Sequence, residues 1–187
     1  VVVTGASRGL GRSMVERFSA EGARVTLTAR DEDLMEEVAA GLPGESLVVP
    51  ADVRDADAVE RVIERTVERF GRIDTLVNNA GVSLLGLQDS RKRLVDVAES
   101  EWDTVLDINL KGTFLFTRAT LPHMAERGRG NVINVSSGLG RPAIAGAGPY
   151  VSSKWGLEGL TRLTALEGEE DGVNANALDP GGRVDTD

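Results

Sequence analysis

The sequence predicts an α/β fold built on one doubly wound parallel sheet. Short runs rich in β-branched residues alternate with longer segments in which apolar residues recur every three or four positions. The first pattern is typical of buried strands and the second of amphipathic helices, so their alternation indicates βαβ units. Right-handed crossovers then give the strand order 3-2-1-4-5-6, with helices on both faces of the sheet in three α/β/α layers.

Six strands are predicted, at residues 1–4, 24–28, 47–49, 73–77, 132–135 and 173–177. The helix after the first strand has a buried face marked by Leu10, Met14, Val15 and Phe18. Asp31 is placed to cap the second helix, and the apolar spacing after Asp55 predicts a third. A long helix is predicted from Ser100, with Asp103 closing a capping box, to about residue 127 with one irregularity. The last helix covers residues 150–167.

Composition narrows the class of protein. The chain has 187 residues and is expected to form a single domain, 1–187. The net charge of −9 argues against a nucleic-acid partner, and no apolar run is long enough to cross a bilayer. Cysteine is absent and there is one histidine, His123, which we interpret as structural, so no metal site is predicted. We expect a cytoplasmic protein without a membrane partner.

The ends of the sequence indicate a piece of a longer protein. It begins with Val1 inside a strand, without an initiator methionine, and it stops shortly after the Pro180-Gly181 turn.

A glycine-rich turn joins the first strand to the first helix. It reads Thr4-Gly5-Ala6-Ser7-Arg8-Gly9-Leu10-Gly11. Glycines let the backbone approach a pyrophosphate, and the N-terminus of the following helix supplies N–H donors. The alternative is a tight turn without a ligand, which its place between a strand and a helix disfavours. The predicted dinucleotide contacts of this turn are Gly5, Ser7, Arg8, Gly9, Leu10 and Gly11.

The end of the second strand bears on the choice of dinucleotide. NAD-binding folds tend to place an acidic side chain here for the ribose hydroxyl. This sequence has Ala29, followed by Arg30, with Arg8 in the glycine turn. Two guanidinium groups suit a 2′-phosphate, so NADP(H) is the preferred cofactor and NAD(H) the alternative. The other interpretation is a pair of solvated surface arginines.

Strands three and four end at the edge where adenine and ribose would lie. The third is followed by Asp52 and Val53, and the fourth by Asn78-Asn79-Ala80-Gly81. We predict cofactor contacts from Asp52, Val53, Asn79, Ala80 and Gly81. The alternative for the two asparagines is that they tie neighbouring strand ends together by hydrogen bonds, and one of them could do only that.

Tyr150 and Lys154 carry the sharpest chemical signal. Four residues make about one helical turn, so the phenol and the ammonium share a face. A free phenol has a pKa of roughly 10, and a nearby cation lowers it toward neutrality, as a general base requires. Ser137, after strand five, can bind a reacting carbonyl oxygen, with Ser136 as its competitor. Asn109, inside the long helix, indicates a local break or a water site.

These motifs, in this order, resemble those of the classical short-chain dehydrogenase/reductase family, which has a Rossmann-type fold. The resemblance implies that Tyr150 is the acid/base and that Ser137, thirteen residues earlier, orients the substrate oxygen. It also implies that Lys154 binds the nicotinamide ribose and that Asn109 holds a water of the proton relay. The expected activity is hydride transfer between NAD(P)(H) and a carbonyl or secondary alcohol. The alternative is a non-catalytic dinucleotide sensor or regulator on the same fold.

The same resemblance extends to the end of the chain and to assembly. Pro180 and Gly181 match the family's loop, which implies that they contact the cofactor. Val184 and Thr186 would lie beside the nicotinamide carboxamide and the phosphates, although one extra residue precedes them. The family's final helix and seventh strand would follow Asp187. Helices over residues 102–127 and 150–167 resemble those that pair between subunits, which implies a homodimer or homotetramer.

Overall fold

Short runs of valine, leucine and threonine form the strands of one parallel sheet. The structure is a computed structural model that describes residues 1–88 and 91–181. Its strand order is β3-β2-β1-β4-β5-β6, and every pairing is parallel. The strands are β1 (Val2–Thr4), β2 (Val25–Thr28), β3 (Ser46–Val48), β4 (Thr75–Asn78), β5 (Gly130–Val135) and β6 (Val173–Leu178). The predicted fold class and strand order are confirmed.

Helices connect the strands, and two of the predicted caps are present. They are α1 (Gly9–Ala20), α2 (Glu32–Ala40), α3 (Ala56–Phe70), α4 (Leu84–Gln88), α5 (Glu99–Leu106), α6 (Gly112–Ala125) and α7 (Gly148–Gly168). The Asp31 carboxylate accepts the N–H of Leu34, and the Asp55 carboxylate caps α3. Within the described residues, no helix has both the length and the apolar character of a membrane span.

The long helix predicted from Ser100 is interrupted, as expected, but its start is different. Five residues with π-helical bonding, Asp107–Lys111, separate α5 from α6. The predicted capping box of Ser100 and Asp103 is wrong, since α5 begins at Glu99. Glu101 accepts the N–H of Ala98 at 2.9 Å instead. A glutamate at the third helical position has the reach to fold back on the residue before the helix.

The hydrophobic core lies in two layers, one on each face of the sheet. Because successive side chains of a strand point to opposite faces, neighbours such as Val2 and Val3 belong to different layers. Val3, Leu27 and Val77 pack with residues of α1 and α2. The opposite layer joins Val2 and other strand residues to α3 and α6. Burial of the sheet on both faces leaves the strand ends as the place where a ligand can enter.

A short chain of buried polar side chains crosses the second layer. Asn78 Nδ2 donates to Asn134 Oδ1 at 2.9 Å and to Thr117 Oγ1 at 3.2 Å. Asn134 Nδ2 donates to Thr161 Oγ1 at 2.8 Å, and Thr161 Oγ1 donates to the Leu157 carbonyl. The chain therefore links β4, β5, α6 and α7, so that the orientation of α7 on the sheet is set by specific bonds as well as by apolar contact.

We expect Thr161→Val to lower the free energy of unfolding by about 1–3 kcal/mol, because it leaves the buried Asn134 amide without its acceptor. Thr164→Val is the matched control. Thr164 is also buried on α7, and its hydroxyl bonds only the Leu160 carbonyl. Urea unfolding should show a clearly smaller loss for the control. Equal losses for the two variants would mean that the Asn134 bond contributes nothing.

Candidate functional site

The carboxyl ends of the strands open into one elongated cleft of about 1500 Å³. Most of the predicted site residues that the structure describes line it: Gly5, Ser7, Arg8, Leu10, Gly11, Arg30, Asp52, Val53, Asn79, Ala80, Gly81, Ser137, Tyr150, Lys154 and Pro180. Gly9, Asn109 and Gly181 lie outside its lining. Val184 and Thr186 lie outside the described residues.

The glycine turn packs so closely that side chains are excluded from it. A Cβ on Gly11 would overlap the carbonyl oxygen of Gly5. Gly5 itself has φ of +67°, and a Cβ there would lie 3.0 Å from Ala80 Cα. Arg8, the residue before α1, makes no side-chain capping bond. The first N–H groups of α1 are therefore left for another acceptor, and the bare backbone around them fits a pyrophosphate.

Thr4 and Asn79 tie the ends of β1 and β4 together. Thr4 Oγ1 accepts the backbone N–H groups of Asn79 and Ala80 at 2.9 and 3.0 Å. Asn79 Nδ2 donates to the Thr4 carbonyl at 2.9 Å. The two asparagines of this strand end thus differ: Asn79 ties strand ends and lines the cleft, whereas Asn78 is buried in the polar chain beneath it.

The end of the cleft beside β2 carries charges of both signs. Arg8 and Arg30 are exposed here, and position 29, where NAD-binding folds tend to carry an acid, is an alanine. Asp31, Glu32 and Asp33 line the same end. From the sequence, Asp31 was expected only as a cap, and the other two acids were not predicted to border the cleft. Asp31 is held by its capping bond to the Leu34 N–H, at 3.2 Å.

Asp52 is held by an arginine that was not predicted from the sequence. Arg54 Nε and Nη2 donate to its carboxylate at 2.9 and 2.6 Å, and the Arg54 backbone N–H donates to it as well, at 3.0 Å. The hydrogen bond from the Arg54 side chain is the main reason that the pKa of Asp52 is lowered. Asp52 is therefore a fixed, ionised acceptor at the edge of the cleft.

Ser136 and Ser137, which competed in the sequence, have different environments. Ser136 is buried and donates its hydroxyl to Glu158 Oε1 at 2.7 Å. Ser137 is half-buried, and its hydroxyl oxygen accepts the Leu139 N–H at 3.2 Å. The hydroxyl proton of Ser137 has no acceptor among the described residues, so it is available to a ligand in the cleft.

Tyr150 and Lys154 lie one turn apart on α7 and face the cleft together. Lys154 Nζ is 5.6 Å from the centre of the Tyr150 ring. The ammonium is buried and donates to the Val135 carbonyl at 2.7 Å. Burial lowers the pKa of Lys154 to about 8, because water no longer stabilises the cation. The site thus keeps a buried titratable cation beside its phenol.

Asn109 supports the site from behind. It lies in the π-helical segment, and its amide bonds both the N–H and the carbonyl of Val82, at 2.8 and 2.9 Å. Its Nδ2 also donates to Ser153 Oγ at 3.0 Å, and Ser153 donates to the Tyr150 carbonyl at 2.7 Å. Ser153 was not predicted from the sequence. Its role could not be inferred from local pattern, because its bond to Asn109 joins residues 44 positions apart in the chain.

The same cleft offers little to a metal ion. Among residues 1–88 and 91–181 no group of three or more histidine, cysteine or carboxylate side chains is placed to hold one. The polar groups that line the cleft are instead hydroxyls, amides, arginines and one buried lysine, together with the acids beside β2 and β3.

Comparison with known proteins agrees with this arrangement. The family model described as short chain dehydrogenase matches residues 1–187. A 3-oxoacyl-[acyl-carrier-protein] reductase of Thermotoga maritima is 36% identical over 183 residues, covering 96% of this chain and 72% of that protein. A (2S)-[(R)-hydroxy(phenyl)methyl]succinyl-CoA dehydrogenase subunit of Thauera aromatica is 35% identical over 185 residues, covering 96% of this chain and 71% of that protein.

Solved structures give the same result. A short-chain dehydrogenase from Streptomyces avermitilis has a TM-score of 0.90 and 34% identity, covering 98% of this chain and 66% of that one. A metagenomic short-chain oxidoreductase in complex with NADP has a TM-score of 0.88 and 37% identity, covering 97% and 81%. The full-length match to the family model and the identities of these relatives show that this chain belongs to the short-chain dehydrogenase family of NAD(P)-dependent oxidoreductases.

Proposed function

We propose that this protein transfers a hydride between NADP(H) and a carbonyl or secondary alcohol, with Tyr150 as the acid/base. The observation that carries the proposal is that Tyr150, Ser137 and the buried Lys154 line the same cleft as the glycine turn. A dinucleotide held on that turn and a substrate held at the tyrosine would therefore share one cleft.

The residues around the cleft fit a nicotinamide dinucleotide. The side-chain-free backbone of Gly5 and Gly11 and the start of α1 would hold the pyrophosphate, and Asp52, Asn79 and the residues beside them would border the adenosine. When bound, the cofactor supplies or accepts the hydride. NADP(H) is favoured by the exposed Arg8 and Arg30 and by the absence of a carboxylate at Ala29. One structural relative was solved in complex with NADP.

Proton transfer is assigned to Tyr150. In carbonyl reduction its hydroxyl gives a proton to the substrate oxygen, and in alcohol oxidation it takes one back. The Ser137 hydroxyl hydrogen-bonds that oxygen and fixes its position. The buried ammonium of Lys154 lies 5.6 Å from the centre of the Tyr150 ring and so places a positive charge beside the site of proton transfer.

We assign two roles to Asn109. It holds the water of the proton relay, and its hydrogen bonds support the backbone around Tyr150. Its bonds to Val82 and Ser153 connect the loop after β4 to the first turn of α7. Because Ser153 in turn bonds the Tyr150 carbonyl, this connection helps to fix the backbone that carries the tyrosine.

We also propose a homodimer or homotetramer in the cytoplasm that acts on a small molecule. Large apolar side chains on the outer faces of α6 and α7 support the assembly, since Phe114, Trp155, Leu163 and Leu166 are 44%, 53%, 50% and 72% exposed. The non-catalytic alternative has no comparable support, because a protein that only senses a dinucleotide needs neither the tyrosine nor the serine in the cleft.

Tyr150→Phe tests the mechanism. A screen of aldehydes, ketones, 3-oxoacyl thioesters and sugars with both cofactors first identifies a substrate. The variant should then lose at least about 10²–10⁴-fold in turnover, as expected when a general acid–base group is removed. Cofactor binding, followed by fluorescence, serves as the control and should persist. A variant that keeps most of its turnover would refute the assignment, since Tyr150 is the one tyrosine of the sequence.

Arg30→Ala tests the cofactor preference. Wild type should bind NADPH more than tenfold more tightly than NADH, because a charge-assisted bond to phosphate contributes about 1.5–3 kcal/mol. The variant should lose much of this ratio through weaker NADPH binding. Arg17→Ala, at an exposed arginine paired with Glu21 on the side of α1, is the matched control. Equal wild-type affinities for the two cofactors in a fluorescence titration would contradict the preference.

The pKa of Lys154 predicts how stability depends on pH. Below pH 8 the lysine is protonated in both states, so the cofactor-free folded protein carries the full cost of a buried cation. Between about pH 8 and 10.5 the unfolded chain binds more protons, and stability rises with pH. Lys154→Met should therefore be more stable than wild type at pH 7, by about 1–3 kcal/mol, with a difference that shrinks toward pH 10.

Urea unfolding of the cofactor-free proteins at several pH values measures this difference. Lys111→Met, at an exposed lysine in the π-helical segment, is the control and should follow wild type at every pH. If the free energies of unfolding of Lys154→Met and wild type changed in parallel from pH 7 to 10, burial would not lower the pKa of this lysine.

A further inference from the structure

We propose that Arg91 binds an anionic group of the substrate, a carboxylate or a phosphate, so that the carbonyl compound carries a negative charge beside an apolar body. The inference rests on the proposed function, and it adds the class of substrate.

The two ends of the cleft differ in their charges. The end after β2 and β3 carries arginines and four carboxylates. The end formed by the loops after β4 and β5, beyond Tyr150, is mainly apolar, with walls from Leu84, Leu85, Leu139, Ile144 and Pro149. Apart from Lys154, Arg91 is the one charged side chain among the described residues that lines this second end. A substrate here would meet hydrocarbon walls and one guanidinium.

The backbone of Arg91 is fixed against the loop that leads into α7. Gly146 has φ of +83°, and a Cβ at that position would lie 3.0 Å from Arg91 Cβ. The next residue, Lys92, forms a parallel β-bridge with Ala147. A Cβ on Gly148 would be 3.2 Å from Leu94 Cδ1. This segment therefore runs beside residues 146–148, and Tyr150 follows two residues later.

The charge of Arg91 is not paired by any residue in the described part of the chain. Lys92 forms an ion pair with Glu101, which neutralises it. Arg91 is exposed and has no ion-pair or hydrogen-bond partner within the described part of the chain. An exposed arginine is ordinary by itself. Arg91 differs because its backbone lies against residues 146–148, just before Tyr150, and because no acid among the described residues lines this end of the cleft.

A guanidinium at this place favours a specific chemistry. Its planar N–H fork matches a carboxylate or phosphate better than a neutral oxygen. The net charge of the chain is −9, so the protein as a whole does not attract anions, and selection for one must be local. The apolar walls would then hold the uncharged part of the same molecule.

Matched probes test this inference. Benzoylpropionate and its methyl ester share a ketone and differ in one carboxylate charge. Acetoacetyl-CoA and the neutral S-ethyl thioester of acetoacetate share a 3-oxoacyl group and differ in the phosphate-bearing coenzyme A group. With NADPH, wild type should favour the anionic member of at least one pair by about three- to tenfold in kcat/KM, as expected for one charged contact at a partly open site. The pair that shows the preference identifies the anion as carboxylate or phosphate.

Variants assign that preference to one side chain. Arg91→Gln should bring the anionic-to-neutral ratio close to one, and Arg91→Lys should restore part of it. Arg141→Gln removes another exposed arginine, one outside the cleft lining, and should keep the wild-type ratio. The wild-type ratio should also fall as salt is raised.

A binding measurement separates this inference from the proposed function. Phenylbutanoate cannot be reduced at a ketone, and its affinity for the NADPH complex can be followed by thermal shift, with its methyl ester as reference. Arg91→Gln should weaken the acid relative to the ester. If wild type reduces the neutral probes but shows no anionic preference, or if Arg91→Gln keeps that preference, the inference is wrong and the proposed function stands. If neither these probes nor any compound of the wider substrate screen is turned over although NADPH binds, both are wrong.

Discussion

The hydrogen bonds between Thr4 and Asn79 hold the ends of β1 and β4 at the point where the strand order reverses. The chain leaves β1 toward one face of the sheet and β4 toward the other, which opens a crevice between them. Without a bond across this gap, the glycine turn would have no fixed partner on the far side. Thr4 Oγ1 and the Asn79 amide supply that bond, and Gly5 packs against Ala80 because of it.

The catalytic side depends on a similar set of ties at the neighbouring strands. The buried chain from Asn78 through Asn134 to Thr161 seats α7 on the sheet. Asn109 and Ser153 then fix the first turn of that helix against the loop after β4. Because α7 is held at Ser153 and again at Thr161, it has little freedom to rotate about its axis. Tyr150 and Lys154 consequently face the cleft without help from a ligand.

Local patterns in the sequence were enough for the strand order, and most of the site residues that they predicted line the cleft. The periodicity of apolar residues and the placement of glycines are local features, so they can be read without knowing which distant residues come into contact. What could not be read depends on contacts between distant residues. The bond from Ser136 to Glu158 spans 22 positions and gives the two serines their different environments. The start of α5 at Glu99, after Ala98, was missed because Ser100 with an acid three residues later is a typical helix start, whereas alanine has no capping oxygen. The pairing of residues 91–94 with the loop before α7 has no periodic signal at all.

The buried ammonium of Lys154 also makes the stability of the folded protein depend on the concentration of the dinucleotide that it binds. A buried cation with no counter-charge among the described residues raises the energy of the empty folded chain, whereas any molecule that binds the folded form alone lowers it by mass action. Cofactor supply would then set how often the empty chain opens and is exposed to proteases. A cell poor in dinucleotide would hold less of this protein, even with its synthesis unchanged.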